Sequence, residues 1–167
     1  MVRFLKILLL AILIVVAIPV ALFIYSPPVL WQTIAGDPDL GPVSFPRLVK
    51  APEPNQYLIC PSAVCVLEAS DQEAKNYPVD AVTLKLRFIV AIGTDNIEIV
   101  EKGDHILRFI VRSDFLKLPT TVNLAFFPTD NGSTFALYAR SQIGHSDFGL
   151  NEKRVKKWLV ELDKLSF

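Results

Sequence analysis

The chain has 167 residues, 51% of them hydrophobic, and it carries 17 basic and 17 acidic side chains. A net charge of zero argues against nucleic-acid binding, because proteins that bind the phosphate backbone normally carry a basic excess. Most of the hydropathy is concentrated in the first 25 residues, and the remainder averages close to an ordinary globular domain. The composition therefore predicts one anchored domain and excludes a polytopic membrane protein.

The chain opens with an apolar segment, residues 7–25, that contains no charged side chain. As a helix with a rise of about 1.5 Å per residue it would extend roughly 28 Å, which matches the hydrocarbon thickness of a bilayer. Arg3 and Lys6 precede the segment, and the next basic residue is Arg47. The positive-inside rule therefore predicts a cytoplasmic N-terminus and an exported C-terminal domain.

A retained anchor and a cleaved signal peptide are the two interpretations of this segment. Signal peptides normally have an apolar core of about 7–15 residues before a small-residue cleavage site, and this core is longer. We therefore interpret residues 1–26 as a single-pass anchor, with residues 4–25 in the membrane. In a Gram-negative bacterium the anchor would lie in the inner membrane and the domain in the periplasm. In other cells the domain would be extracellular or lumenal.

Residues 27–54 contain seven of the twelve prolines. Proline fixes φ and drives the preceding residue toward extended conformations, so a semi-rigid connector is predicted. We interpret it as a plain spacer between the anchor and one exported domain, residues 55–167.

The first predicted helix of the domain begins at Asp80, a residue type favoured as N-cap, and stops at Gly93. Apolar residues recur inside it at helical spacing, namely Val82, Leu86, Ile89 and Val90. The pattern predicts an amphipathic helix with these residues on its apolar face.

Four strands are predicted next, because apolar and polar residues alternate between turn signals. Their ranges are 97–102, 105–112, 121–127 and 134–141. A closing helix is predicted from the N-cap Asn151. Its apolar stripe consists of Val155, Trp158, Leu159, Leu162 and Leu165. The predicted fold class is α+β, with an N-terminal transmembrane helix and a small domain whose four-stranded antiparallel sheet is flanked by helices.

Cys60 and Cys65 are the two cysteines of the chain, and in an exported compartment such close cysteines most simply form a disulfide. A metal site would need further ligands, and the two histidines, His105 and His145, lie at no zinc-like spacing. No metal and no cofactor is therefore predicted.

Residues 140–151 join the last strand to the closing helix and are rich in polar side chains. One interpretation is a hydrogen-bonded structural corner, because Ser, Asp and Asn cap helix-start amides. The other is a polar wall that faces a ligand. The candidate ligand-binding residues are Arg140, Ser141, Ser146, Asp147 and Asn151.

Catalytic signatures are not found in the sequence. His145, Ser146 and Asp147 have the residue types of a hydrolytic triad, but consecutive side chains diverge and cannot form one among themselves. A hydrolase would need Ser141 or Ser146 within hydrogen-bond reach of a histidine. No catalytic residue is therefore assigned.

The segment Ala139–Asn151 resembles the closing motif of domain-of-unknown-function family 1499, in which a Ser- and Arg-bearing strand end precedes Gly-x-Ser-Asp-Phe/Leu-Gly and a basic helix. Phe109–Ser113 is similar to the second strand of that family. Asn55–Pro61 resembles a segment that precedes the domain in anchored members. The resemblance implies an architecture and a shared site, and it implies no reaction.

The leading hypothesis is a non-enzymatic, membrane-anchored envelope domain that binds a small or amphipathic ligand or an envelope protein partner. A structural or assembly role is the alternative. It would be indicated by an exposed apolar patch on the outer sheet face around Ile106, Ile110 and Phe127. A hydrolase that uses a serine of the 141–147 loop is the third hypothesis.

Overall fold

The structure is a computed structural model that describes residues 2–94 and 96–165, without the side chains of Val2 and Leu5. The N-terminal helix, α1 (Val2–Tyr25), contains a segment, Lys6–Tyr25, that is long and apolar enough to span a membrane. A signal sequence at the start of a chain meets the same two criteria.

A short helix, α2 (Pro27–Ala35), follows α1 after a single residue. Ser26 N donates to Leu22 O at 2.8 Å, so the backbone passes from one helix to the next with its hydrogen bonds made. Two prolines open α2, where the first N–H groups of a helix have no intrahelical acceptor and their loss is tolerated. The predicted proline-rich connector therefore begins as a helix.

In the part of the chain that the structure describes, the sheet has five antiparallel strands, in the spatial order β1-β5-β4-β3-β2. The strands are β1 (Gln56–Ile59), β2 (Ile97–Lys102), β3 (Ile106–Arg112), β4 (Pro119–Thr129) and β5 (Gly132–Ser141). The α+β class and the meander of the last four strands are confirmed, and the predicted number of strands is wrong. The missed strand, β1, has only four residues, and Tyr57, Leu58 and Ile59 are all buried because both faces of the sheet are covered. It therefore lacks the alternation by which a half-buried strand is recognised.

One face of the sheet is covered by α3 (Ala81–Ile92) and α4 (Leu150–Lys164). The boundaries of α3 are as predicted: Asp80 Oδ1 accepts from Thr83 N at 2.9 Å, and Gly93 ends the helix with φ 71°. The predicted apolar face of α3 is wrong for three of its four residues, because Val82, Leu86 and Val90 are exposed, whereas Ile89 packs against the core. The buried residues of α3 are Ala81, Leu84, Lys85, Phe88 and Ile92.

Phe88 explains the orientation of α3. Its ring lies edge-on to Phe126 and to Phe135, with centroid distances of 6.0 and 5.1 Å. Burying a large aromatic ring in such a geometry stabilises a core more than burying valines does. The predicted stripe of α4 is buried or half-buried in the same core.

The opposite face of the sheet is covered by the connector, residues 36–50. Phe45 and Leu48 are buried there against a cluster that includes Leu58, Ala136 and Tyr138. Leu40 N donates to Thr121 Oγ1 at 2.9 Å, and the same hydroxyl donates to Pro38 O at 2.9 Å. This part of the connector is a packed layer of the domain and not a free spacer.

The connector also covers the face on which an exposed apolar patch was considered. Ile110 is only 2% exposed, Phe127 is half-buried, and Ile106 is 41% exposed. Arg108 forms an ion pair with Asp39 of the connector at 3.2 Å. The predicted surface around these residues is therefore largely inside the protein.

Candidate functional site

A groove of about 560 Å³ lies at the end of the sheet where β4 begins and β5 ends. It is bounded by the β3–β4 loop, residues 113–118, and the β5–α4 loop, residues 142–149. We call it the loop groove. Its apolar lining consists of Phe115, Leu116, Leu118, Ile143, Phe148 and Leu150. Its polar lining consists of Ser113, Asp114, Thr120, Ser141, Ser146, Asp147, Asn151 and Arg154.

Four of the five candidate ligand-binding residues line this groove, and Arg140 does not. Arg140 pairs in register with Gln56 and Thr121, and it shares the connector-covered face of β5 with Tyr138. Ser141 is the next residue, so it points to the helical side. Strand alternation thus separates two neighbours that the sequence groups together. The Arg140 Nε atom is buried and has no hydrogen-bond partner among the described residues.

Asn151 is the centre of the polar cluster and is 1% exposed. Its Nδ2 group donates to Asn55 O and to Ser141 Oγ, both at 3.0 Å. Its Oδ1 atom accepts from Arg154 Nη1 at 3.3 Å. These bonds join β1, β5 and α4, so Asn151 holds the closing helix to the edge of the sheet.

Asp147 organises the start of α4. Its Oδ2 atom accepts from Asn151 N at 2.8 Å, and its Oδ1 atom accepts from Gly149 N at 3.0 Å. The predicted N-cap Asn151 is therefore the second residue of the helix, and Asp147 supplies the acceptors that a helix start needs. Ser146 Oγ accepts from Phe148 N at 3.1 Å in the same turn.

The serine–histidine geometry of a hydrolase is not assembled among the described residues. Ser141 Oγ is 3.1 Å from Thr120 Oγ1 and accepts from Asn151. His105 and His145 are exposed, and neither imidazole bonds to a serine hydroxyl in the part of the chain that the structure describes. A nucleophile needs such a base in contact.

Arg154 is the cation of the loop groove. Burial lowers the pKa of its guanidinium, and the carboxylates of Asp114 and Asp147 offset this effect. An arginine side chain remains charged under such a shift. Arg154 forms no ion pair among the described residues. Most of its donor capacity is therefore not used by its hydrogen bond to Asn151.

Two phenylalanines project from the rim of the loop groove. Phe115 is 84% exposed and Phe148 is 92% exposed. Phe148 also has φ 53°, in the left-handed region that non-glycine residues seldom adopt. Sequence reasoning missed Phe115 as a site residue, although an apolar pair, Phe115-Leu116, in a polar loop is a signal that could have found it.

A second cleft, of about 630 Å³, lies on the other side of Leu150 and Arg154. Lys153, Lys157 and Arg112 line it and make it basic. Arg112 is already paired with Glu98 at 3.3 Å. The two lysines are exposed, and they continue the cationic character of Arg154 along α4.

Helix α2 is attached to the same end of the sheet as the loop groove. Trp31 Nε1 donates to Leu116 O at 2.5 Å. Gln142 Nε2 donates to Ala35 O at 3.0 Å and also to Asp37 O. Both loops that form the groove are thus bonded to the segment that follows α1.

Cys60 and Cys65 form a disulfide, with their Cα atoms 6.0 Å apart. The bridge lies beside the connector, away from the loop groove, and both cysteines are buried. Among the described residues there is no group of three or more His, Cys, Asp or Glu side chains placed to hold a metal ion.

The family match agrees with this architecture. A family model described as a protein of unknown function, DUF1499, matches residues 51–162. The chain belongs to this family. The DUF1499 match includes the whole sheet and most of α4, and α1 and α2 lie before it. No curated protein and no solved structure matches the chain.

Proposed function

We propose that this protein is a single-pass membrane protein whose DUF1499 domain binds an amphipathic ligand without catalysing a reaction. The ligand is a single-chain lipid, such as a fatty acid. Its acyl tail lies in the loop groove, and its headgroup lies beside Arg154.

The apolar lining of the loop groove is the observation that carries the proposal. Six apolar side chains line it, and its volume of about 560 Å³ falls within the range of roughly 300–1,000 Å³ found for ligand pockets. Fully burying a leucine or isoleucine side chain is worth about 1.5–3 kcal/mol. Leu116, Leu118 and Ile143 line the groove and are half-buried, so an acyl chain in the groove supplies part of that burial.

Arg154 defines the polar end of the ligand. A guanidinium presents several N–H donors in a planar fork, which matches a carboxylate or phosphate headgroup. Ser146 and Asp147 line the same wall, and their side chains already accept bonds from backbone N–H groups. These two residues therefore hold the wall in shape while Arg154 contacts the headgroup.

The proposal includes a retained anchor with its N-terminus in the cytoplasm. Two observations support this orientation. Arg3 and Lys6 lie near the N-terminal end of α1, and no further basic residue occurs before Arg47. In a Gram-negative cell the domain then lies in the periplasm, where a disulfide between Cys60 and Cys65 is stable.

The test is photocrosslinking of the full chain in lipid nanodiscs. The probe is a fatty acid with a diazirine in its acyl chain, and crosslinked peptides are quantified by mass spectrometry. We expect crosslinks in loops 113–118 and 142–149 that excess unlabelled fatty acid removes. Crosslinks confined to α1, or loop crosslinks that resist competition, would overturn the proposal.

A matched pair of variants makes the test specific. Leu150→Gln removes an apolar wall residue that is 49% exposed, and Leu86→Gln changes a leucine of α3 that is 52% exposed and distant from the groove. Losing about 1 kcal/mol of apolar contact corresponds to a roughly fivefold drop in affinity. Competition curves should show this drop for Leu150→Gln and no change for Leu86→Gln.

The other two hypotheses receive less support from the structure. The patch that would have indicated an assembly role is largely covered by the connector, as Ile110 demonstrates at 2% exposure. A hydrolase lacks the contact between a serine hydroxyl and a histidine among the described residues. Ligand binding is therefore the function that the loop groove favours.

A further inference from the structure

The rim of the loop groove is an apolar surface in its own right. Phe115, Phe148 and Leu150 are 84%, 92% and 49% exposed, and they come from the two loops and the start of α4. Isolated apolar residues on a surface are common, whereas large rings grouped at one edge mark an interaction surface. We call these three residues the apolar rim.

The position of the anchor identifies the partner of the apolar rim. Helix α2 follows α1 after Ser26 and is bonded to Leu116 and Gln142, one residue in each of the two loops. The rim therefore lies at the end of the domain from which the chain continues into the apolar helix. The turn at Asp130 lies at the other end of β4, roughly 33 Å away for a strand with a rise of about 3.3 Å per residue.

Cations lie directly behind the rim. Lys153 and Lys157 lie three and seven residues after Leu150 in α4. At the rise of an α-helix these spacings correspond to about 4.5 Å for Lys153 and about 10.5 Å for Lys157. Lys117 lies in the loop that carries Phe115, where it donates to Asn96 at 3.0 Å. The carboxylates of Asp114 and Asp147, which line the same groove, offset part of this charge. Apolar side chains with lysines one to two helical turns behind them match the hydrocarbon boundary and the anionic headgroups of a membrane surface.

We infer that the apolar rim inserts into the interface of the leaflet from which α1 emerges, so that the loop groove opens onto the lipid phase. The occupant of this surface is the bilayer itself. The inference rests on the retained anchor of the proposed function, and it does not depend on the fatty-acid ligand. Insertion gives the groove a direct supply of single-chain lipids, which are scarce in water.

The test measures the depth of single labelled positions in the full chain. Both native cysteines are in the disulfide, so Phe115→Cys, Phe148→Cys and the control Asp130→Cys each offer one thiol to an environment-sensitive fluorophore. The labelled chains are placed in nanodiscs that contain lipids with a doxyl quencher near the headgroup. We expect at least twofold stronger quenching at positions 115 and 148 than at 130, together with a blue-shifted emission.

Equal quenching at all three positions overturns the inference. Labels at 115 and 148 that are protected from aqueous iodide but are not quenched by the lipid also overturn it, because a second copy or another protein would then cover the rim. Anionic lipid in the nanodisc should strengthen the quenching, and Lys153→Gln with Lys157→Gln should remove that increase.

The failure of this inference is distinguishable from the failure of the proposed function. Loop crosslinks to the diazirine fatty acid without lipid quenching at Phe148→Cys would leave ligand binding intact and refute membrane insertion. Lipid quenching without competable loop crosslinks would establish the membrane contact and refute ligand binding.

Discussion

The substitution Asn151→Ala tests the claim that the polar cluster holds the closing helix to the sheet. Asn151 is 1% exposed, so its side chain cannot exchange its partners for water. The substitution removes the two bonds donated to Asn55 O and Ser141 Oγ and the bond accepted from Arg154. The backbone N–H of residue 151 and its bond to Asp147 remain.

The expected loss follows from these bonds. A typical internal hydrogen bond contributes about 1 kcal/mol net, and one to a charged group about 1.5–3 kcal/mol. Asn55 O keeps the donor Ser141 N at 3.0 Å, and Ser141 Oγ keeps Thr120, so neither is left without a partner. The bond from Arg154 is long, at 3.3 Å. We expect the free energy of unfolding to fall by about 2–3 kcal/mol, or roughly 10 °C in Tm for a domain of this size.

The assay is guanidinium unfolding of the full chain in mild detergent, followed by near-ultraviolet circular dichroism. Trp158 packs edge-on against Phe109 with a centroid distance of 5.7 Å, so it reports the packing of α4 on the sheet. The control is Asn131→Ala, an exposed asparagine in the β4–β5 turn, which should change stability by less than about 0.5 kcal/mol.

A fall of less than about 1 kcal/mol for Asn151→Ala would refute the reasoning, because the three bonds would then contribute no more than one typical bond. Full stability combined with loss of competable crosslinks would show that Asn151 contacts the ligand. Asn151→Asp separates the two roles further. Its carboxylate retains the acceptor for Arg154 but cannot donate to Asn55 O or Ser141 Oγ.

Two further substitutions test the packing of the β4–β5 turn and the capping of α3. Gly132→Ala should lower the free energy of unfolding by about 3 kcal/mol or more, because a Cβ at its φ of 137° collides with the Tyr77 backbone. The control is Gly93→Ala, which adds a Cβ with no heavy atom within 4 Å. Equal losses of stability for the two variants in thermal denaturation would contradict the collision. Bonds from Thr83 hold the pKa of the Asp80 carboxyl below its ordinary value, so the stabilisation it confers is present above about pH 4 and is lost as the pH falls through the lowered pKa. Stability measured from pH 5 to pH 2 should therefore fall more for wild type than for Asp80→Asn, and parallel curves would contradict this.

Local sequence patterns were sufficient to predict those elements whose structure depends on residues near one another in the chain. The bounds of α3 follow from two residues. The Asp80 side chain caps the first turn, and Gly93 ends the helix because it can adopt a positive φ. The β4–β5 hairpin follows from alternation around Asn131-Gly132. The family motif at the end of β5 likewise identified the DUF1499 domain.

The candidate site was predicted only in part. Ser141, Ser146, Asp147 and Asn151 meet at the loop groove, because they lie in one short stretch of chain between the end of β5 and the start of α4. Arg140 lies on the other face of β5 because side chains alternate across a strand. Phe115 comes from a loop distant in sequence, and no local pattern relates it to Phe148.

The sequence by itself determined the apolar N-terminal helix, the meander, the two covering helices and the family, because each depends on a periodicity or a motif within about 20 residues. Only the tertiary structure decided that β1 adds a fifth strand, that the connector covers the second face of the sheet, and that Phe88 rather than the valines of α3 enters the core. These outcomes depend on contacts between distant segments, where the burial of large side chains and the pairing of backbone groups outweigh local preference.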